Sequence, residues 1–319
     1  MPSPTASRFS EPLTFTPLFK ERIWGGRRLE TLFGKQLPPS VRIGESWEIV
    51  DRPEAQSVVR AGAWSGQTLH HLWLHHRPEV FGEMADAPRF PLFLKLLDAA
   101  EKLSVQVHPP AEVAAQLGSE PKTECWYVAH AVPDAELYVG LKNGCTRAAF
   151  EAALEKGTVA EHIHRIPVRT GDAMFLPSGR VHAIGAGNVL VEVQQNSDTT
   201  YRVFDWNRSG DDGAPRALHI AESLSSIDFD DYEPALVRSR GDSLLEDPLF
   251  AIERSELTAA REVAPAGRFA IVVCLTGKIL CAGLEAGPGE FFLVPASLTD
   301  RLLQPRAPQT TFLRVTAGR

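Results

Sequence analysis

One spaced pattern occurs twice in this chain, and it restricts the fold more than any other feature. Residues 171–182, GDAMFLPSGRVH, place Gly171, Pro177, Gly179 and His182 in the order G-x5-P-x-G-x2-H. Residues 289–300, GEFFLVPASLTD, place Gly289, Pro295, Ser297 and Asp300 at the same offsets. Each copy is an apolar run, a proline-bearing turn and a return segment, the chemistry of strand, turn and strand. Repetition of such a unit predicts two related β-barrels. The second copy has Asp300 in place of the histidine, and no histidine follows His219. A metal centre built on imidazoles therefore belongs to the first unit.

The rest of the pattern agrees. Residues 15–65 and 165–206 read as short strands and turns, and residues 246–319 as strand–turn–strand rich in glycine and proline. FPLFLKLLDA (90–99) and KLSVQVHPP (102–110) read as strands. Helical spacing covers 66–83 until Pro78 interrupts it, then 111–120 and 146–164, the last capped by Thr146. Residues 1–14 read as a loose arm, 207–219 as a polar loop and 220–245 as a linker. Many short strands with helical excursions predict a β-sandwich or barrel with appended helices.

Composition narrows the function. The chain has 319 residues, 44% hydrophobic and 23% charged, enough for a core that needs no disulfides. Cys125, Cys145, Cys274 and Cys281 show no CxxC spacing and read as reduced thiols of a cytoplasmic protein. No signal-like segment opens the chain and no apolar run reaches membrane-spanning length. A net charge of −7 without a basic block argues against nucleic acid and for a small-molecule substrate. Oligomeric state is not legible here.

Polar residues on three strand candidates can meet in one barrel. Gln106 and His108, two apart in SVQVHPP, share a face of an extended chain. Glu124 opens KTECWYV, and His182 comes from the turn unit. One amide, two imidazoles and one carboxylate suit a borderline divalent ion such as zinc, with room for water or substrate. Separately, Gln106 also reads as a buried amide paired to backbone, Glu124 as a rim carboxylate and His182 as a core histidine. A second histidine group, HHLWLHH, puts His71 and His75 four apart. It lacks the carboxylate of a metalloprotease helix and reads as a solvated face.

At this point the chain resembles a type I mannose-6-phosphate isomerase of the short bacterial kind, a member of the cupin superfamily. The resemblance rests on RIWGG, GESWEI, KLLDAAEKLSVQVHP, KTECWY, PSGRVHAI and VEVQQNSDTTYRVFDW, in the family's order, over residues 15–208. It implies a mainly β fold of two cupin (jelly-roll β-barrel) units with helical insertions in the N-terminal one. The expected division is a catalytic unit at 1–235 and a smaller degenerate unit at 236–319. It also implies one zinc per chain on Gln106, His108, Glu124 and His182, and an essential active-site arginine, Arg202. Pro110 stands where the family often has aspartate, and Thr123 where it often has proline. Both departures bear on the loop that shapes the pocket.

The implied reaction interconverts mannose 6-phosphate and fructose 6-phosphate through a cis-enediol. It needs an electrophile on the oxygens, a base beside the carbon and a phosphate clamp. Arg202 is the candidate for stabilising enediolate charge. Glu192 is a candidate catalytic carboxylate. Lys95, Ser104, Lys122 and Arg208 are candidates for substrate binding. Trp24 and Trp47 are candidates for pocket walls or core packing. The rival readings are a metal-dependent cupin oxygenase, a cupin acting on another sugar or sugar phosphate, and a non-catalytic sugar-binding cupin.

Overall fold

The computed structural model describes residues 9–209 and 213–318. In chain order the strands begin with β1 (Leu18–Gly26), β2 (Ile43–Ile49), the short pair β3 (Asp51–Arg52) and β4 (Ala55–Gln56), β5 (Leu92–Ala99) and β6 (Val105–Val107). They continue with β7 (Glu124–Ala131), β8 (Glu136–Leu141), β9 (Ile163–Pro167), β10 (Ala173–Leu176), β11 (His182–Ile184), β12 (Asn188–Gln195) and β13 (Tyr201–Phe204). One six-stranded sheet runs β1-β2-β5-β12-β7-β10, and a five-stranded sheet runs β13-β6-β11-β8-β9. The fold is mainly β, as the strand pattern predicts.

The period-two alternation of a strand explains how the first sheet is used. Along β5, Leu92, Leu94 and Leu96 join one apolar cluster, and Leu97 and Ala99 another. Along β12, Val189, Val191 and Val193 join the first cluster and Leu190 the second. Both faces are covered, which is why these segments read as nearly continuous apolar runs. The second cluster also contains Leu137, Val139 and Ile184, so the two sheets pack face to face. Polar residues in step with the second cluster, Lys95, Glu124 and Glu192, are thereby directed between the sheets.

The remaining strands come from later in the chain. Ser243–Glu246, Phe250–Glu256, Ala270–Thr276, Phe291–Val294 and Thr311–Ala317 form a five-stranded sheet. Four short strands between Arg261 and Pro305 form a facing one. Phe250, Ile271, Leu293 and Val315 share the apolar cluster of Leu94 and Val191. The rings of Phe81 and Phe90 lie 5.7 and 5.8 Å from Phe269. One core therefore spans early and late parts of the chain. The sequence repeat has a structural counterpart: Gly171 and Gly289 take φ of +99° and +75° just before Ala173–Leu176 and Phe291–Val294. Positive φ favours glycine at both positions.

Several local expectations are corrected. The helical pattern at 66–83 splits into Leu69–His75, capped by Thr68, and Arg77–Phe81, with Pro78 in the first turn of the second. Residues 146–164 form an α-helix over Arg147–Lys156, ended by Gly157 at φ +69°, then a 3-10 turn over Val159–His162, and Ile163 already starts β9. Of 102–110, only Val105–Val107 is strand. The expected linker at 220–245 contains the helix Ile220–Ser226, and Asp231 and Glu233 pair with the backbone of Leu141. Residues 1–8 of the expected arm lie outside the described residues. Phe9 and Leu13 are buried, and Leu13 exchanges two 2.8 Å backbone hydrogen bonds with Leu293. Among the described residues no helix is long and apolar enough to cross a membrane. All four cysteines are free and buried.

Candidate active site

Among the described residues, one group of three metal-ligating side chains converges: His108, Glu124 and His182, with ligand atoms within 4.8 Å of one another. His182 and Gln106 are directly opposed across β11 and β6, and Gln106 is opposed to Arg202 across β6 and β13. Arg202, Gln106 and His182 therefore form one row across the second sheet. Glu124 comes from the facing sheet at the start of β7, and His108 from the turn just past β6. Glu124 Oε2 lies 3.4 Å from His108 Nε2 and Oε1 lies 3.4 Å from His182 Nε2.

The protonation pattern is fixed locally. His182 Nδ1 donates to the Arg180 carbonyl at 2.9 Å, which leaves Nε2 as a bare lone pair. The Gln106 amide donates to that lone pair at 3.3 Å. Burial lowers the pKa of both imidazoles, that of His108 to about 3, so both are neutral. Burial opposes ionisation of Glu124, but the Lys122 ammonium, 3.2 Å away, outweighs it and holds the carboxyl well below its usual range. Both ring nitrogens of His108 and both oxygens of Glu124 are buried without a hydrogen-bond partner. Buried polar atoms without hydrogen bonds, with the Lys122 ammonium near only one of them, are costly unless something binds them. Two neutral imidazoles, a carboxylate and an amide are the donor set of a divalent cation. The residues fit such an ion.

Beside this cluster is a cavity of about 330 Å³. Of the candidate substrate and catalytic residues, Lys95, Ser104, Lys122, Glu192 and Arg202 line it, with Gln106. Lys95 Nζ is 3.1 Å from Glu192 Oε1, and the Trp126 indole donates to Glu192 Oε2 at 3.0 Å. Lys95, Glu192 and Trp126 are cross-strand neighbours, which sets this contact. Burial pushes the Glu192 carboxyl up, against the pull of Lys95. Glu192 and Glu45 in turn raise Lys95 against its own burial. Arg202 donates from Nη1 to the Ala217 carbonyl at 2.8 Å, while its buried Nε has no partner.

Arg208 is not a lining residue. Its guanidinium is drawn to Asp205, with Nε donating to Oδ1 at 3.0 Å. Arg216 takes the expected place: it lines the cavity and binds Asp205 through Nε at 2.7 Å and Nη2 at 2.6 Å. Arg22, Glu45, Asp198 and Thr200 also line the cavity and were not expected there. Trp24 lines it and belongs to the apolar cluster between the sheets, whereas Trp47 packs edge-on against Phe93. The histidine group at 70–76 takes no part: His70 Nδ1 is 3.0 Å from Asp51. A larger cavity of about 800 Å³, lined by Asp247, Arg268 and Arg314, shares no residue with the cluster and contains no imidazole. Orphaned ligand atoms and converging charge, not volume, mark the site.

A family model described as phosphomannose isomerase type I, catalytic domain, matches residues 13–122. Mannose-6-phosphate isomerase ManA of Bacillus subtilis (strain 168) is 46% identical over 221 residues, 69% of each chain. Probable mannose-6-phosphate isomerase GmuF of the same strain is 35% identical over 90% of this chain and 94% of its own length. This chain belongs to the type I mannose-6-phosphate isomerase family. The crystal structure of a mannose 6-phosphate isomerase from Bacillus subtilis superimposes on this isomerase with a TM-score of 0.85 at 32% identity, covering 95% of this chain and 99% of that one. The expected family and enzyme class therefore stand.

Proposed function

We propose that this isomerase interconverts mannose 6-phosphate and fructose 6-phosphate, using one zinc ion held by Gln106, His108, Glu124 and His182. The observation that carries the reading is the group of buried ligand atoms without hydrogen bonds on His108 and Glu124, joined through Gln106 and Lys122 to a polar cavity that those two residues line. A bound zinc would supply Lewis acidity toward the carbonyl and hydroxyl oxygens of the sugar. With a single carboxylate among its ligands, the site keeps net positive charge.

The chain's own groups account for the rest. The proton moves between C1 and C2 of the sugar through a cis-enediol, and Glu192 is the group we assign to carry it. Its raised pKa brings it toward the range where it can both take and return a proton. Lys95 and the Trp126 indole fix its orientation. Arg202 faces charge that grows in the enediolate. Cations elsewhere along the cavity have carboxylates of their own: Arg22 has Glu45, Lys95 has Glu192 and Lys122 has Glu124. Arg208 and Arg216 share the single carboxylate of Asp205, which leaves one positive charge over. The surplus of positive charge at that end is where the phosphate is assigned, with Ser104 as a further hydroxyl donor. We assign this chemistry to residues 1–235 and a covering role to residues 236–319, in a cytoplasmic enzyme.

A coupled assay with mannose 6-phosphate, before and after chelation and after zinc is restored, tests the reading. Turnover that is lost to the chelator and recovered with zinc is expected. Turnover unaffected by complete metal removal, or binding without turnover, would overturn it.

A further inference from the structure

The polar atoms of one short turn reach two of the three converging ligand residues and the chain neighbour of the third. The turn is Pro177–Arg180, between β10 and β11. Ser178 N–H donates to Thr123 Oγ1 at 3.2 Å, next to Glu124, and the two hydroxyls lie 3.1 Å apart. Gly179 N–H donates to the His108 carbonyl at 2.8 Å. The Arg180 carbonyl accepts from His182 Nδ1 at 2.9 Å. Gly179 has φ of +95°, and a Cβ there would meet Pro110 Cγ and the Ser226 carbonyl, each at 3.4 Å. Thr123 and Pro110, the two departures from the family's usual residues, thus both meet this turn.

A turn of four residues does not hold such a shape unaided. Here it is tied from outside by the segment that follows the helix Ile220–Ser226. The Arg180 guanidinium grips Asp231 with two hydrogen bonds, Nε to Oδ2 at 2.8 Å and Nη2 to Oδ1 at 2.7 Å, and Nη1 donates to the Phe175 carbonyl at 2.7 Å. Asp228 N–H donates to the Gly179 carbonyl at 2.9 Å. The segment is anchored in turn on β8, where Leu141 N–H donates to the Asp231 carbonyl at 2.9 Å and Glu233 N–H to the Leu141 carbonyl at 2.9 Å. A paired fork of this kind fixes direction as well as distance.

We propose that Asp231 and Arg180 are positioning residues for the metal site: their ion pair braces the Pro177–Arg180 turn and so sets how long the ion stays bound. The inference rests on the metal reading above. Partners behind metal ligands change metal affinity about 10–100-fold when removed. An Asp231 variant still carries all three ligand side chains but holds them less firmly, so it should bind the ion and release it sooner.

The test measures the rate of zinc transfer from the zinc-loaded full chain to a chromophoric chelator. The variants are Asp231→Asn, Arg180→Lys and, as a same-segment control, the exposed Asp230→Asn. Zinc is expected to leave Asp231→Asn and Arg180→Lys at least about tenfold faster than the parent. Excess zinc should restore their turnover, and Asp230→Asn should match the parent. Should either charged variant fail to fold, Thr123→Val removes the Ser178 link alone and should speed release in the same direction, with Thr123→Ser restoring it. Release at the parent rate in these variants, whatever their melting temperatures, overturns the proposal. A parent chain that binds no zinc overturns the metal reading, and this inference with it.

Discussion

Gln106 and His182 face each other across an antiparallel pair of strands, with the amide nitrogen 3.3 Å from the imidazole Nε2. That contact shows the unprotonated nitrogen of His182 directed at Gln106, which lines the cavity. His108 and Glu124 close the same small space with no hydrogen-bond partners of their own. Removing one imidazole leaves Glu124 beside Lys122 with fewer donors to share an ion. His108→Ala should therefore lose bound metal and turnover together, as read by elemental analysis and the coupled assay. A variant with full metal content and normal turnover would remove His108 from the site.

Arg202 differs from the other cations of the cavity because its Nε is buried without a partner. Burial, followed by repulsion from Arg216, lowers its pKa from a very high starting value, so it stays charged while crowded by like charge. An added anion relieves that crowding. If the anion is the developing enediolate, Arg202→Ala lowers kcat by about a hundred- to a thousandfold, or 3–4 kcal/mol. If it is the phosphate alone, KM rises and kcat is spared. The first outcome is expected, with metal content unchanged. Arg216→Ala should show the opposite split, because it lies with Asp205 at the end proposed for the phosphate.

Glu45 gives the clearest acid-dependent stability. Burial opposes its charge, but Lys95 and Arg22 with the Trp47 indole outweigh it and lower its pKa to about 2. The folded pKa lies below the unfolded one, so this contribution is complete above the ordinary carboxyl value and lost as pH falls toward about 2. After discounting for the partly exposed Arg22, it is on the order of 2 kcal/mol. Glu45→Gln should melt lower than the parent at neutral pH, and the gap should close as acid protonates the parent. A gap of constant size from pH 6 to about 2 would show that packing, not charge, explains the loss.

The parts of this site that could be read in the sequence are those carried by short-range geometry. Gln106 and His108, two apart in an extended run, and His182 past a Pro–Gly turn were identifiable because period two and turn chemistry are local rules. Glu45 and Arg22 were not, because a carboxylate in GESWEI reads like any other until β2 is known to pair with β1 and β5. Arg216 was hidden for a different reason. It follows a polar, glycine-bearing loop without periodicity, and only the position of Asp205 distinguishes it from Arg208. The stretch at 220–245 read as a linker, whereas Asp231 points inward to Arg180, a pairing across 51 positions that no local pattern reveals.

The late strands should stabilise the site without entering it. Phe269 is buried against Phe81 and Phe90, both from the N-terminal part of the chain. Its cluster also includes Leu94, Leu96 and Val191, on the back of the strands that carry Lys95 and Glu192. Truncating a buried phenylalanine typically costs about 3–5 kcal/mol, from lost transfer energy and the cavity left behind, and Phe269, which also borders the larger cavity, should fall at the low end. Phe269→Ala should therefore lower the melting temperature of the whole protein in a single transition, because the apolar cluster is continuous across both halves. At a temperature where it remains folded, its kcat should match the parent's, since Phe269 does not line the cavity that holds Lys95, Glu192 and Arg202. Calorimetry decides the point. Two separate transitions, with only the first shifted, would mean that the late strands melt independently of the early ones and do not support the strands that carry Lys95 and Glu192.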